Sequence, residues 1–215
     1  MSIAADLSPE AYQQATAFLS ALDDDWARHI ALVGPCALQV MPQRAPYEAL
    51  IRAVSHQQVH AKAGDAMLNR LLALHATSDF PSPEHLLSVD AERHRACGFS
   101  TAKVTAIRGI AQATLDGIVP NLAQAQNMDD AELIERLITL RGIGRWTVEM
   151  FLVSTLGRSD ILAVDDFGVR EGYRLLKGLD KAPTPKQLRE IGEGWRPHRT
   201  VAMWYLWQRP ARDER

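Results

Sequence analysis

The sequence predicts an all-α protein, and three observations support this. Apolar residues recur at helical spacing over most of its 215 residues, as in Pro9–Ala31 and Tyr47–His75. No segment shows the period-two alternation of a half-buried strand. Helix-start signals precede several of the periodic segments: Ser82-Pro83, a capping-box spacing from Asp129 to Glu132, and Thr184-Pro185. We expect roughly eight to ten helices.

Each predicted helix follows from its own pattern. Tyr47–His75 carries two apolar stripes, with a break near Gln57–Lys62, so it is helical in two parts. Further helices are predicted at Thr101–Asp116, after Asp129, and at Arg145–Leu156, where Gly157 is placed to end the helix. Thr184-Pro185 opens another, and Val201–Gln208 is the last.

Composition excludes several classes of protein. A hydrophobic content of 47% is enough to form a core, and no apolar run has the length of a membrane span. The N-terminus carries no signal-peptide pattern. Two cysteines, Cys36 and Cys97, indicate a reducing compartment and cannot supply a four-cysteine iron–sulfur cluster. We expect the cytoplasm of a bacterium or the nucleus of a eukaryote.

Charge is unevenly distributed along the chain. Residues 1–140 carry 10 Lys/Arg against 16 Asp/Glu, whereas residues 141–215 carry 14 against 10, within a net charge of −2. A locally basic face with an acidic back fits a protein that binds phosphates on one side. An ordinary solvated surface would look much the same.

Residues 140–166 form the most informative stretch. Gly142 and Gly144 bracket Ile143 ahead of an apolar helix, and a tight turn of this kind exposes backbone N–H groups that attract phosphate. About twenty residues later, Asp165 and Asp166 follow an apolar run. The spacing alone also fits a plain helix–turn–helix with a capping aspartate.

Three other segments occur in a specific order with this one. They are Ser55–Ala63, Gly98-Phe99-Ser100 with Lys103, and Trp195–Arg199 with Trp207. Together these segments resemble the helix-hairpin-helix DNA glycosylases, and most of all 3-methyladenine DNA glycosylase II and its short fungal relatives. The resemblance runs from about residue 33 to residue 207.

The resemblance implies one helical unit over residues 1–215, two-lobed and without the N-terminal β domain of the full-length bacterial enzyme. The hairpin would span about 133–156. Residues of about 1–45 and 167–208 would form one lobe, and about 46–165 the other.

The resemblance also implies how DNA is held. N–H groups of Gly142, Ile143 and Gly144 would bind phosphate. The loop at Gln57–His60 would enter the duplex, with Gln58 as the wedge; His60 either contacts the minor groove or is an exposed or capping histidine. Carbonyls of Ile138, Leu140 and Ile143 would suit a monovalent cation. No other metal and no cofactor is expected, since His56 and His60 are four residues apart but have no Cys or Glu nearby to complete a zinc site.

A base pocket is implied at Trp146, Met150 and Trp207. Trp146 and Met150 are four residues apart and share a helix face. Indole faces attract a cationic alkylated purine by about 0.5–2 kcal/mol. The alternative is that these tryptophans belong to the core, to which we assign Trp195 and Trp204.

One aspartate would perform the cleavage. Asp165-Asp166-Phe167-Gly168-Val169-Arg170 matches the bacterial motif without a gap, and in that motif the second Asp acts. Asp166 is therefore the expected catalytic residue, with Asp165 as a helix cap. A looser alignment to the thymine-glycol type of glycosylase favours Asp165.

The expected reaction is hydrolysis without strand cleavage. Strand-cleaving relatives carry a Lys two residues after the second hairpin glycine, and this chain has Trp146 there. We expect a monomer that acts on double-stranded DNA with damaged bases and excises alkylated purines (3-methyladenine, 7-methylguanine). The alternatives are a glycosylase for deaminated or oxidised bases and a non-catalytic hairpin module that binds distorted DNA.

Overall fold

The computed structural model describes residues 8–75 and 80–208, and these ranges contain helices and connecting loops but no strand. The predicted all-α class is confirmed. The described residues form thirteen α-helices and one short 3-10 helix at Glu193–Trp195. In chain order the α-helices are α1 (Pro9–Ser20), α2 (Asp24–Val33), α3 (Pro46–His56), α4 (Ala61–His75), α5 (Pro83–Ser88), α6 (Ala91–Ala96), α7 (Thr101–Leu115), α8 (Leu122–Asn127), α9 (Asp130–Leu137), α10 (Arg145–Ser154), α11 (Phe167–Leu176), α12 (Pro185–Gly192) and α13 (Arg199–Trp207).

Helix caps explain where the structure differs from the sequence expectation. The helix predicted over Pro9–Ala31 is two helices, because the Asp23 carboxylate accepts from the N–H groups of Asp25 and Trp26 and starts a new one. Ser82 and Thr184 cap α5 and α12 as predicted. The side chain of Asp129 makes no capping hydrogen bond to α9, so the capping box expected there is wrong.

The chain divides into two compact units. Among the residues that the structure describes, unit 1 covers the range from Pro42 to Phe151, and unit 2 combines residues 8–41 with residues 152–208. The sequence places residues 152–165 in the middle lobe, whereas the structure groups them with the chain ends. Hydrogen bonds explain the grouping, because the Met41 N–H donates to the Ser154 carbonyl (2.8 Å) and the Ile161 N–H to the Thr200 hydroxyl (3.1 Å).

Unit 1 is organised on α7, which packs against both α3 and α5. The helix begins at the Ser100 cap and buries Ile107 and Ile110 completely. Leu50 and Val54 of α3 are equally buried. This core fixes the loop that follows α3 and, as shown below, the turn between α9 and α10.

Unit 2 is organised on the contact between α11 and α13. Gly172 of α11 is buried, and a Cβ atom built on it would overlap the carbonyl of Leu206 on α13. The two backbones therefore approach more closely than any side chain at position 172 would allow. No helix within the described ranges is both long and apolar enough to cross a membrane.

Gly172→Ala should lower the free energy of unfolding by about 1–3 kcal/mol, because the added methyl group forces α11 away from α13. Gly109→Ala is the matched control: it lies inside α7, and a Cβ there meets no atom within 4 Å. That change should raise stability by about 0.5–1 kcal/mol through its effect on helix propensity. Urea unfolding measures both, and equal stability of the two variants would contradict the close-approach argument.

Candidate active site

The loop between α3 and α4 presents an exposed tip on unit 1. Gln58, Val59 and His60 are all exposed, while Gln57 before them is partly buried. Gln58 adopts φ +55°, the left-handed region that non-glycine residues seldom occupy. Such a conformation is retained where neighbouring structure holds it. The wedge predicted at Gln58 therefore lies at the turning point of a short, constrained loop.

Side chains on both sides of this loop hold its base in place. The Lys103 ammonium on α7 donates to the carbonyl of Ser55 at 3.0 Å, and burial lowers the pKa of Lys103. The His56 ring contacts the Arg52 carbonyl at 2.8 Å and the Asp65 carboxylate at 2.9 Å. α3 is thereby linked to α7 and to α4 where the loop departs.

The turn between α9 and α10 has the geometry expected of a hairpin. Gly142 lies at φ +84°, and a Cβ atom on it would come 2.7 Å from the Cβ of Ala106 on α7. Gly142 and Gly144 are exposed. Ile143 is buried, and its N–H, predicted to bind phosphate, donates instead to the Leu140 carbonyl at 3.0 Å. The two glycines thus present the exposed backbone of the turn.

Gln57 connects the loop to the hairpin. Its Nε2 donates to the Gly142 carbonyl at 3.1 Å and to the Thr147 hydroxyl at 3.0 Å. Thr147 is buried in the first turn of α10. The sequence predicts that Gln57 contacts DNA. No sequence motif indicates that its amide forms hydrogen bonds with the hairpin and α10.

Two of the three predicted pocket residues lie on α10 in unit 1. Trp146 is exposed and Met150 is partly exposed, whereas Thr147, Val148 and Glu149 between them are buried. The exposure of this face of α10 argues against Trp146 as a core residue. The assignment of Trp195 to the core agrees with its burial.

Asp166 lies at the start of α11 in unit 2. Its Oδ1 accepts from the Val169 N–H at 2.8 Å and from the Trp207 indole N–H at 3.2 Å. Asp166 is therefore the N-cap of α11, and the capping role predicted for Asp165 is wrong. Asp165 is exposed and lies one residue before the cap. The helix geometry explains the correction, because only the N-cap side chain reaches the N–H three residues on.

Gly168 makes room for the contact between Asp166 and Trp207. A Cβ atom on Gly168 would come 3.1 Å from Asp166 Oδ1 and 3.1 Å from Cδ1 of the Trp207 ring. Either group would have to move to accommodate a side chain. The neighbouring Phe167 is 72% exposed, so an aromatic surface lies directly beside the carboxylate in the chain.

The described residues contain no cluster of three or more His, Cys, Asp or Glu side chains arranged to hold a metal ion. The predicted monovalent cation depends on backbone carbonyls of Ile138, Leu140 and Ile143. The Leu140 carbonyl accepts from Ile143 and keeps a second lone pair, so this oxygen donor set remains compatible with such an ion.

Comparison with known proteins gives consistent matches. The sequence profile of the HhH-GPD superfamily base excision DNA repair proteins matches residues 51–197. DNA-3-methyladenine glycosylase 1 of Schizosaccharomyces pombe is 44% identical over 191 residues, covering 88% of this chain and 84% of that protein. The alkylbase DNA glycosidase-like protein mag2 of the same yeast is 35% identical over 200 residues, covering 93% and 94%.

A solved structure agrees with these sequence matches. The S. pombe 3-methyladenine DNA glycosylase Mag1, in complex with abasic DNA, superimposes with a TM-score of 0.86 at 44% identity, covering 91% of this chain and 95% of that one. This chain belongs to the HhH-GPD superfamily of base excision DNA repair proteins.

Asp166→Asn should reduce base excision by at least about a hundredfold, because the amide keeps the cap but loses the negative charge. Trp207→Phe keeps a smaller aromatic ring and removes the N–H donor to Asp166, so a loss of roughly tenfold is expected. Single-turnover excision at saturating enzyme measures both rates.

Asp165→Asn is the matched control, since it removes an adjacent charge that makes no cap. It should excise at close to the wild-type rate. A large loss in Asp165→Asn, together with full activity in Asp166→Asn, would transfer the catalytic role to Asp165.

Proposed function

We propose that this protein is a monofunctional DNA glycosylase that extrudes alkylated purines from duplex DNA and hydrolyses their N-glycosidic bond, leaving an abasic site. The observation that carries the proposal is the Asp166 carboxylate, which two N–H donors fix in place beside the Trp207 indole. The similarity to the 3-methyladenine glycosylase of S. pombe supports 3-methyladenine as a target, and 7-methylguanine extends the same chemistry.

The carboxylate suits the chemistry of base loss. As the bond to the base breaks, positive charge develops on the sugar, and an anion in a fixed position stabilises that charge without reorganising. Asp166 also orients or deprotonates the attacking water. Water supplies the hydroxyl group of the product, and the proton it loses passes to the carboxylate or to bulk solvent.

The tryptophans suit a cationic base. A purine alkylated at N3 or N7 carries positive charge, and an indole face such as that of Trp207 attracts a cation by about 0.5–2 kcal/mol. Trp146, in unit 1, is an exposed indole of the same kind. The indole N–H of Trp207 lies in the ring plane, so its hydrogen bond to Asp166 uses the ring edge and leaves the π-faces for stacking. Charge on the lesion thus contributes to its recognition.

The exposed glycines of the hairpin suit binding to the phosphate backbone of DNA. A phosphate beside Gly142 and Gly144 would meet backbone N–H groups and the N-terminal end of α10, where the helix dipole favours an anion. A monovalent cation on the nearby carbonyls would add positive charge toward DNA. We further propose that the protein acts as a monomer, in the reducing compartment that holds the genome.

Trp146 determines the reaction type. It occupies the position at which a strand-cleaving relative requires an amine, and an indole cannot form a Schiff base with the sugar. Its neighbour Arg145 is engaged by the Glu149 carboxylate at 3.0 Å and is too basic to act as a neutral amine.

The purified protein should therefore release 3-methyladenine and 7-methylguanine from methylated DNA without nicking it, as measured by mass spectrometry of the freed bases. Borohydride should trap no covalent adduct, and strand breaks should appear only after alkali or an abasic-site endonuclease. A trapped adduct would mean that another amine attacks. Release of deaminated or oxidised bases alone would agree with the proposed mechanism and contradict the proposal that alkylated purines are the substrates.

Gly144→Asp should weaken binding to damaged and undamaged duplexes alike, because it adds a negative charge beside a phosphate. The slope of log affinity against log salt should fall by about 0.9 for each phosphate that the variant no longer neutralises. The structure has room for the side chain, since a Cβ on Gly144 meets no atom within 4 Å.

Gly109→Asp is the charge-matched control, at an exposed glycine on α7 with equal space. It should keep the wild-type salt slope. Equal slopes for Gly144→Asp and Gly109→Asp would remove the hairpin from the DNA interface.

A further inference from the structure

Gln57 lies between the two parts of unit 1 to which we assign DNA contacts. Its backbone belongs to the loop whose exposed tip is Gln58–His60, while its amide donates to the Gly142 carbonyl (3.1 Å) and the Thr147 hydroxyl (3.0 Å). The carbonyl belongs to the turn of the hairpin, and the hydroxyl belongs to the helix that the hairpin opens. A single side chain therefore joins the loop to the hairpin.

We propose that Gln57 is a positioning residue that couples the grip of the hairpin on the DNA backbone to insertion of the loop tip into the duplex. The inference rests on the proposed function, because it assumes that Gly142 and Gly144 lie at a phosphate and that Gln58 enters the helix. It assigns to Gln57 a task other than contacting DNA.

The geometry favours this task over direct readout of DNA. An amide has two N–H donors on Nε2, and the two acceptors on the hairpin account for both. Gln57 is also partly buried, unlike the three residues that follow it. Both N–H donors of the Gln57 amide thus bond to the protein, whereas the neighbouring Gln58 lies at the exposed tip of the loop.

The rest of unit 1 supports both sides of this bridge. α7 holds the loop base through Lys103 and Ser55, and it holds the turn through the contact of Ala106 with Gly142. Gln57 joins the same two parts by a direct route. α7 thus connects the two parts indirectly, and the hydrogen bonds of Gln57 add a direct route by which displacement of the hairpin reaches the loop.

Coupling predicts a particular pattern of kinetic effects. Gln57→Met keeps the length of the side chain and removes both donors. Affinity for undamaged duplex, which depends on the phosphate grip, should stay within about twofold of wild type. The single-turnover excision rate at saturating enzyme should fall roughly tenfold, because the variant cannot form the two hydrogen bonds that hold the inserting loop.

A double-mutant cycle with Thr147 tests the bridge itself. Thr147→Val removes the hydroxyl acceptor with little change of shape and should give a smaller loss of about threefold, whereas Thr147→Ser keeps the hydroxyl and should retain the wild-type rate. In the Gln57→Met background, Thr147→Val should cost nothing further. A merely structural contribution would lower thermal stability and affinity together, and it would not give this non-additive pattern in rate alone.

Fluorescence of 2-aminopurine placed beside a lesion reports unstacking, and Gln58→Ala provides the reference for loss of insertion. The bridge is supported if Gln57→Met and Gln58→Ala both reduce the unstacking signal while Gln57→Met keeps its affinity for undamaged duplex. If Gln58→Ala reduces the signal and Gln57→Met excises at the wild-type rate, the coupling proposal is overturned and the proposed function stands. If neither variant changes signal or rate, the loop does not insert and both proposals about it fail.

Discussion

In unit 2, the Asp166 carboxylate joins two helices, because it caps α11 and accepts a hydrogen bond from α13. Asp166 caps α11 by accepting the Val169 N–H, so its position is set by the backbone of the helix itself. The positive end of the helix dipole favours its negative charge there. Trp207 adds a second donor from α13, and the close approach of α11 to α13 at Gly172 sets where that donor lies. Gly168 leaves room for this pair, since a Cβ atom there would come 3.1 Å from both Asp166 Oδ1 and Trp207 Cδ1 and would displace one of them slightly.

Unit 1 holds its candidate DNA-contacting residues in place in a different way. Its candidate DNA contacts lie on turns, which lack the internal hydrogen bonds of a helix, so neighbouring elements must hold them. α7 holds both turns: Lys103 donates to the Ser55 carbonyl, and Ala106 packs against Gly142. Without a Cβ at 142, the turn can rest directly on α7. The loop keeps a left-handed residue at Gln58 because both of its ends are anchored.

Local patterns allowed much of this to be predicted from the sequence. The helical class follows from apolar periodicity, and the caps at Ser82 and Thr184 act within three residues of themselves. The order and spacing of four segments, at residues 55–63, 98–103, 140–166 and 195–207, indicated the family. What could not be predicted depends on distant neighbours: the amide of Gln57 bonds to a residue ninety positions away, and Trp207 reaches Asp166 from another helix. That Asp166 and not Asp165 caps α11 depends on a single residue of helix register, which composition does not determine.

The hydrogen bond between Trp207 and Asp166 limits how selective the proposed recognition of a base by Trp207 can be. Attraction between a cationic base and an indole face contributes only about 0.5–2 kcal/mol, which is at most a factor of roughly thirty. The indole of Trp207 is held by its edge on Asp166, so the ring cannot be turned to fit the outline of one particular base without disturbing the carboxylate. Under the proposed function, the weaker glycosidic bond of the alkylated base therefore adds to the discrimination against normal purines. A fixed carboxylate that stabilises whichever sugar cation forms first would favour a range of cationic purines over a single lesion.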